Sequence, residues 1–268
     1  MSEDISFERV TGNVGALVHG VDIREPHPPA TAPRLREALH QFGVLFFESG
    51  RLVEPREFQA FVLLFGEPER RYALTAGGAH PDDADSVIDS DQTPMDEFRV
   101  NHWHTDGTAL ECPPQAAMLT PVALPDAGGD TMWASMYAAW DGLSSEHQSL
   151  LEELDAVHST ARLPFLPTNY STVHPVVIRD PVTKRKLLYV NSNYTERIVG
   201  MKDAESDALL NMLFQHINTP EFHVRLRWRI GTIAVWEERV TQHRGVADFV
   251  GPRQLRRLVI PGDRPGSA

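Results

Sequence analysis

HVRLRWRIGTIAVWEERVTQHR, residues 223–244, is the stretch on which the fold turns. In its first half Val224, Leu226, Trp228 and Ile230 alternate with Arg225, Arg227 and Arg229, the period of a strand with one apolar face and one solvated or interface face. After Gly231 the run TIAVW is continuously apolar, as in a strand covered on both sides, and it leads straight into TQHRGV. Two neighbouring strands of such different burial predict stacked layers of sheet, not a single sheet open to water on one side.

The flanking sequence extends this pattern. HPVVIRD and KLLYVN flank PVTKR as a hairpin, and QAAMLTPVAL and DTMWAS read as strands separated by the turn PDAGG. Helical periodicity covers Pro33 to Phe42, EPREFQAFVLLFG up to Gly66, a region from Met136 to Leu154, and a segment from Asp203 or Ser206 to about Ile217, with a buried strand over Val44 to Phe47. The expected class is mainly β with flanking helices, a closed or sandwiched β core and not an alternating βαβ wheel. Twenty prolines and eighteen glycines scattered through 268 residues suit short elements joined by turns. No linker, repeat or low-complexity tract divides the chain, so residues 1–268 are read as one domain.

A formal net charge of -12 argues against nucleic acid or an anionic membrane as partner, because both demand basic surface. The opening MSEDISFERV is acidic and lacks the apolar segment of a secretory signal, and no later run approaches the length of a membrane span. The expectation is a soluble cytoplasmic protein. With Cys112 as its single cysteine, the chain can form neither an intrachain disulfide nor a thiolate zinc cluster, so any metal must rest on nitrogen and oxygen donors.

Such donors stand together in NHWHTDGTALECPP, residues 101–114, where His102, His104 and Asp106 alternate and would share one face of a strand. Three metal chemistries compete for them. A binuclear hydrolase would use all three, but its motif should close with a further histidine where Gly107 stands. A cupin site wants a glutamate three or four residues after the second histidine, and Glu111 lies seven beyond His104. A mononuclear iron site with two histidines and one carboxylate needs His104, Asp106 and one distant histidine, for which His243 is best placed. Iron sites of that kind bind a 2-oxo acid whose far carboxylate wants a bidentate cation. Arg253, ten residues after His243, is suitably placed, and Arg257 would lie on the same strand face.

At these residues the sequence resembles the iron(II)- and 2-oxoglutarate-dependent dioxygenases of the taurine dioxygenase (TauD/TfdA) family. GNVGALVHGVDIREP, FGVLFF, FGEP, WHTDGT, LPDAGGDTMWAS, LLYVNSNYTERIVGM, INTPEFHVRLRW, AVWEERVTQHR and GDRP follow in the family's order over nearly the entire chain. The resemblance implies a double-stranded β-helix, or jelly roll, with flanking helices. It implies Fe(II) held by His104, Asp106 and His243, with His102 a bystander, and 2-oxoglutarate and O2 as cosubstrates. Thr131 and Arg253 match the positions that hold the far carboxylate of 2-oxoglutarate. Trp236 matches a tryptophan packed beside the iron, Tyr194 an aromatic near the substrate, and Arg257 the arginine that receives the substrate's anionic group. Succinate and carbon dioxide would be released as a small anionic organic substrate is hydroxylated, by a protein that commonly forms homo-oligomers.

Departures from the family pattern bear on the substrate. FGEPERRY puts Arg71 about where taurine dioxygenase has a sulfonate-binding histidine, while Gly107 and Ala109 replace bulkier residues and leave room for a body larger than taurine. Arg71 either faces the pocket or pairs with acidic neighbours on its loop. WEER replaces the usual Trp-Asp-Asn-Arg, and its Glu237 and Glu238 are expected to be solvated carboxylates. Two readings from other classes stand beside the dioxygenase: a metallohydrolase using His102, His104 and Asp106, and a non-catalytic β-fold binding protein.

Overall fold

The computed structural model describes residues 5–69, 86–89, 101–163 and 169–268. In chain order the elements are β1 (Ser6–Arg9), β2 (Ala16–His19), α1 (Thr31–Phe42), β3 (Val44–Glu48), α2 (Pro55–Val62), β4 (Ser86–Asp89) and β5 (Ala116–Ala123). There follow β6 (Thr131–Ser135), α3 (Met136–Asp141), α4 (Ser145–Leu151), β7 (Asp155–Ser159), β8 (Ser171–Pro175), β9 (Val177–Arg179) and β10 (Lys186–Leu188). The chain closes with β11 (Thr195–Ile198), α5 (Asp203–Ile217), β12 (His223–Leu226), β13 (Thr232–Glu237), β14 (Thr241–Gly245) and β15 (Gln254–Ile260).

Two sheets face each other to form the double-stranded β-helix. The larger runs β1-β2-β3-β13-β5-β15-β4 and the smaller β12-β6-β14. Strand alternation explains the layering even where every residue is buried. On β3, Val44 and Phe46 point between the sheets while Leu45 and Phe47 point outward, and on β13 Ala234 and Trp236 point inward while Ile233 and Val235 point outward. Inside, Trp133 of β6 fills the gap, with ring centroids 5.5 Å from Phe46 and 5.7 Å from Trp236. Outside, Leu35, Leu39 and Phe42 of α1 and Phe58 and Phe61 of α2 cover the larger sheet. Each such side chain removed from water contributes about 1.5–3 kcal/mol, so the two inner faces and the helical cover lock the sheet order. A third cluster, built from α3, α5, β9 and β10, caps the smaller sheet.

The turn from α1 into β3 needs its glycine. Gly43 has φ 74° and caps the helix through an N–H bond to the Leu39 carbonyl, and an added Cβ would lie 2.8 Å from Thr241 Cγ2. The missing Cβ lets the end of the helix lie directly against the start of β14, the strand that carries His243.

Two local expectations are corrected, and a third holds. β12 ends at Leu226, because the Trp228 indole turns in to hydrogen-bond Thr131 Oγ1 at 2.9 Å and Ile230 is exposed. The arginine face is solvated as expected, with Arg225, Arg227 and Arg229 all exposed, and the Arg225 guanidinium bridges Asp130 and Asp248 at 2.6 and 3.0 Å. Segment 101–106 is no strand, since only His104 forms a bridge, paired with His243.

Candidate active site

His104 and His243 are held by their backbones before their side chains do anything. Each donates its N–H to the other's carbonyl, at 3.1 and 2.8 Å, so the two residues sit directly opposite in antiparallel pairing and their side chains leave the same face. Their ring centroids are 4.2 Å apart. Beyond His104 the chain turns at Gly107, whose φ of 66° is the left-handed conformation that glycine adopts without strain. The turn brings Asp106 Oδ1 to 3.6 Å from His104 Nε2 and Asp106 Oδ2 to 3.9 Å from His243 Nε2. One ligand atom from each of the three residues lies within 4.8 Å of the others, and all three residues are buried.

The electrostatics prepare these groups for a cation. Burial lowers the pKa of both imidazoles, His243 far below its ordinary value with His104 adding to the effect, which leaves them neutral with lone pairs available. Burial pushes the Asp106 carboxyl up, but the Arg257 guanidinium and the two histidines outweigh it and hold the value at about 2. His104 Nδ1 lies 2.7 Å from the His102 carbonyl, which places the ring proton there and turns Nε2 toward Asp106. Two neutral imidazoles and one ionised carboxylate, with no sulfur, fit a mononuclear iron(II) centre. His102 contributes only that carbonyl; its side chain is exposed and stands apart from the cluster, which removes the third ligand a binuclear hydrolase would need.

Next to the ligands the structure gathers the expected anion-binding residues. Arg253, just ahead of β15, is 3% exposed and donates from Nε to the Gly129 carbonyl at 2.7 Å and from Nη2 to Thr131 Oγ1 at 3.3 Å. Burial lowers its pKa to about 10, which leaves it cationic at neutral pH. Thr131 Oγ1 therefore receives two N–H donors, from Arg253 and Trp228. With both lone pairs engaged, its own hydroxyl hydrogen is free to be given to an acceptor. Arg256 points elsewhere, to the Val53 carbonyl at 3.3 Å. Arg257 reaches Asp106 and donates to its Oδ2.

Trp236 is 1% exposed, packs its ring 4.9 Å from that of His243 and gives its indole N–H to Glu238, so it backs the His243 ring from the core. Tyr194 takes a hydrogen bond from the Gly107 backbone, and burial drives its pKa up. It packs with Ala109 and Leu163 in a small apolar cluster beside the metal-site turn. The glycine at 107 answers a backbone requirement, the left-handed φ of the turn. Arg71 lies outside the described residues.

The sequence missed the pair at 237–238, and the expectation of solvated carboxylates is overturned: both are 0% exposed. Glu237 accepts from Arg239 Nε at 2.7 Å and lies 3.7 Å from His40 Nε2. Glu238 accepts the Asp106 N–H at 3.0 Å and the Trp236 indole N–H at 2.8 Å; burial, followed by the charge of Asp106, raises its carboxyl well above the usual range. The available signal was position, since the two acids directly continue a strand buried on both faces.

Comparison with known proteins agrees with this geometry. Residues 6–259 match the family described as Taurine catabolism dioxygenase TauD, TfdA family. An alkylsulfatase from Acinetobacter baylyi is 30% identical over 98% of this chain and 86% of its own length. An alpha-ketoglutarate-dependent sulfate ester dioxygenase from Pseudomonas putida is 32% identical over 98% of this chain and 91% of its own. The crystal structure of a putative alpha-ketoglutarate-dependent taurine dioxygenase from Burkholderia xenovorans superposes with a TM-score of 0.86 at 32% identity, covering 98% of this chain and 95% of that one.

Proposed function

The chain belongs to the Taurine catabolism dioxygenase TauD, TfdA family and is an iron(II)- and 2-oxoglutarate-dependent dioxygenase, and from that premise we propose that it hydroxylates a small organic sulfate ester or sulfonate. The observation that carries the proposal is the guanidinium of Arg257, set against Asp106 at the edge of the His104–Asp106–His243 cluster. A fixed cation at the edge of the cluster would hold an anionic group so that the neighbouring carbon lies next to the metal. The names of the full-length relatives, an alkylsulfatase and a sulfate ester dioxygenase, favour a sulfur oxyanion over a carboxylate.

In this assignment His104, Asp106 and His243 hold the iron. When bound, iron(II) supplies oxygen activation coupled to oxidative decarboxylation of 2-oxoglutarate to succinate and carbon dioxide. Arg253 and the Thr131 hydroxyl bind the far carboxylate of the oxo acid, and Arg257 orients the substrate. The buried apolar surroundings of Tyr194, Ala109 and Leu163 exclude water from the side of the metal-site turn. Hydroxylation of a carbon that bears a sulfate oxygen gives a hemiacetal, which expels sulfate and leaves an aldehyde. The same step beside a sulfonate expels sulfite. Homo-oligomerisation and a cytoplasmic location belong to the same proposal, the latter supported by the exposed thiol of Cys112, which suits a reducing compartment. Among the described residues no helix is long and apolar enough to cross a membrane.

The test is an anaerobically reconstituted protein supplied with air and a panel of alkyl sulfates, alkyl sulfonates and aryloxy carboxylates of graded length. Succinate should form together with sulfate or sulfite. Succinate formation coupled only to carboxylates overturns the substrate class and leaves the reaction class intact.

A further inference from the structure

The two ligand histidines are supported unequally. His104 has a fixed acceptor for its Nδ1–H in the His102 carbonyl. Nδ1 of His243 is buried with no hydrogen-bond partner among the described residues, and Glu238 Oε2 stands 3.8 Å away. Once Nε2 of a neutral imidazole faces a cation, Nδ1 must carry the proton, and a buried N–H without an acceptor is costly. Glu238 is anchored where it can serve. Its backbone N–H is bonded to the Gln115 carbonyl at 2.8 Å, and its Oε1 is fixed by the Trp236 indole, whose ring packs on His243. Its Oε2 already takes the backbone N–H of Asp106.

We propose that Glu238 is a positioning residue of the metal centre, orienting two of the three ligands at once: Asp106 through the backbone N–H it accepts, and His243 through the Nδ1–H it faces. The inference rests on the metal-centre assignment above. It also explains why the position carries a carboxylate. Both side-chain oxygens face N–H donors, and an amide has only one oxygen to offer, so at this site it would turn its own N–H2 on either Trp236 or Asp106. A carboxylate behind a ligand histidine also raises the basicity of the coordinating nitrogen.

The test uses the full chain and Mn(II) alone, titrated calorimetrically without oxygen or cosubstrate, on wild type, Glu238→Gln, Glu238→Ala and Glu238→Asp. Loss of an outer-shell partner typically costs about 10–100-fold in metal affinity, and that loss is expected for the Gln and Ala variants, with partial recovery in Asp. The visible charge-transfer absorption of the anaerobic Fe(II)–2-oxoglutarate complex should also shift in Glu238→Gln. A purely structural role would lower the unfolding temperature of the metal-free protein while moving neither readout. The isosteric Gln variant decides the matter should Ala fail to fold. Mn(II) affinity of Glu238→Gln within twofold of wild type overturns the proposal. Wild type that binds no Mn(II) overturns the metal-centre assignment beneath it.

Discussion

Replacing Arg253 with alanine should raise the Michaelis constant for 2-oxoglutarate far more than that for the anionic substrate. The guanidinium is locked in place. Nε is committed to the Gly129 carbonyl, Nη2 to Thr131, and a Cβ added at Gly129 would stand 3.0 Å from Arg253 Cδ. The neighbouring arginines of β15 are directed elsewhere, Arg256 to Val53 and Arg257 to Asp106. Truncating one partner of a buried, hydrogen-bonded charge pair costs about 2–5 kcal/mol. At about 1.36 kcal/mol per tenfold, that is roughly 30-fold to several thousand-fold in the 2-oxoglutarate constant. The lower end is expected, since water enters the truncated space and solvates the orphaned carboxylate. A further loss falls on stability: the Gly129 carbonyl loses its Arg253 donor, at about 1–3 kcal/mol for a buried polar group left unsatisfied, while Thr131 keeps the Trp228 N–H. The assay is therefore run at a temperature where the variant is folded, following initial succinate formation against 2-oxoglutarate, with anaerobic titration of the charge-transfer absorption as a direct binding measurement. Arg256→Ala is the control and should leave the constant unchanged. An Arg253→Ala enzyme with wild-type 2-oxoglutarate dependence, or a larger effect in Arg256→Ala, refutes the reasoning.

Three further outcomes follow from the geometry. His104→Ala and His243→Ala should lose stoichiometric Mn(II) binding, whereas His102→Ala should retain it within a few-fold, because His102 supplies only a backbone carbonyl that alanine also has; equal loss in all three, by calorimetry, would overturn the ligand set. Arg71→Ala should slow succinate formation with longer alkyl sulfates if Arg71 shares the anion with Arg257, and identical activity on every anion tested would remove Arg71 from the site. Burial pulls the His40 pKa down, but Asp180, with Oδ1 3.0 Å from His40 Nδ1, and Glu237 outweigh it, so His40 titrates above its ordinary value. A raised histidine contributes stability fully below the unfolded value and loses it as pH rises through the folded one. The unfolding-temperature advantage of wild type over His40→Gln should therefore be largest near pH 6 and shrink toward pH 9, and a constant difference across that range would sink the assignment.

What could be read from the sequence was local or carried by an ordered set of motifs. The amphipathic period of α1 and the continuous apolar run of β13 lie within short windows and the structure reproduces them within a residue or two, while the hairpin forms over arms shorter than HPVVIRD and KLLYVN, at β9 and β10. Sheet membership was not legible. β5 and β6 are neighbours across PDAGG yet belong to different sheets, a choice made by Trp133 packing against Phe46 and not by the turn. The strand expected over 101–106 failed because pairing to β14 stops after one residue, where Gly107 takes the chain into a turn. Glu237 and Glu238 looked like solvated charges because the donors that satisfy Glu238, from Asp106 and Trp236, come together only in three dimensions.

The same contacts explain how a segment with almost no regular structure can hold the proposed metal ligands to the tolerance such sites require, about 0.5 Å. Residues 104–106 are gripped from both layers of the sandwich and from the connection between them. The smaller sheet holds His104 through its two backbone bonds to His243. The larger sheet reaches Asp106 through Arg257 of β15, and the turn that carries the chain from β13 to β14 reaches its backbone through Glu238. Thr105, between the two ligands, adds its hydroxyl to the Thr241 carbonyl at 3.0 Å. Each grip comes from a strand or turn whose own position is set by core packing, so the ligand geometry inherits the rigidity of the sheets. A change in the relative placement of the two sheets would therefore move Asp106 against His243, and the core residue Trp133, wedged between Phe46 and Trp236, holds that spacing.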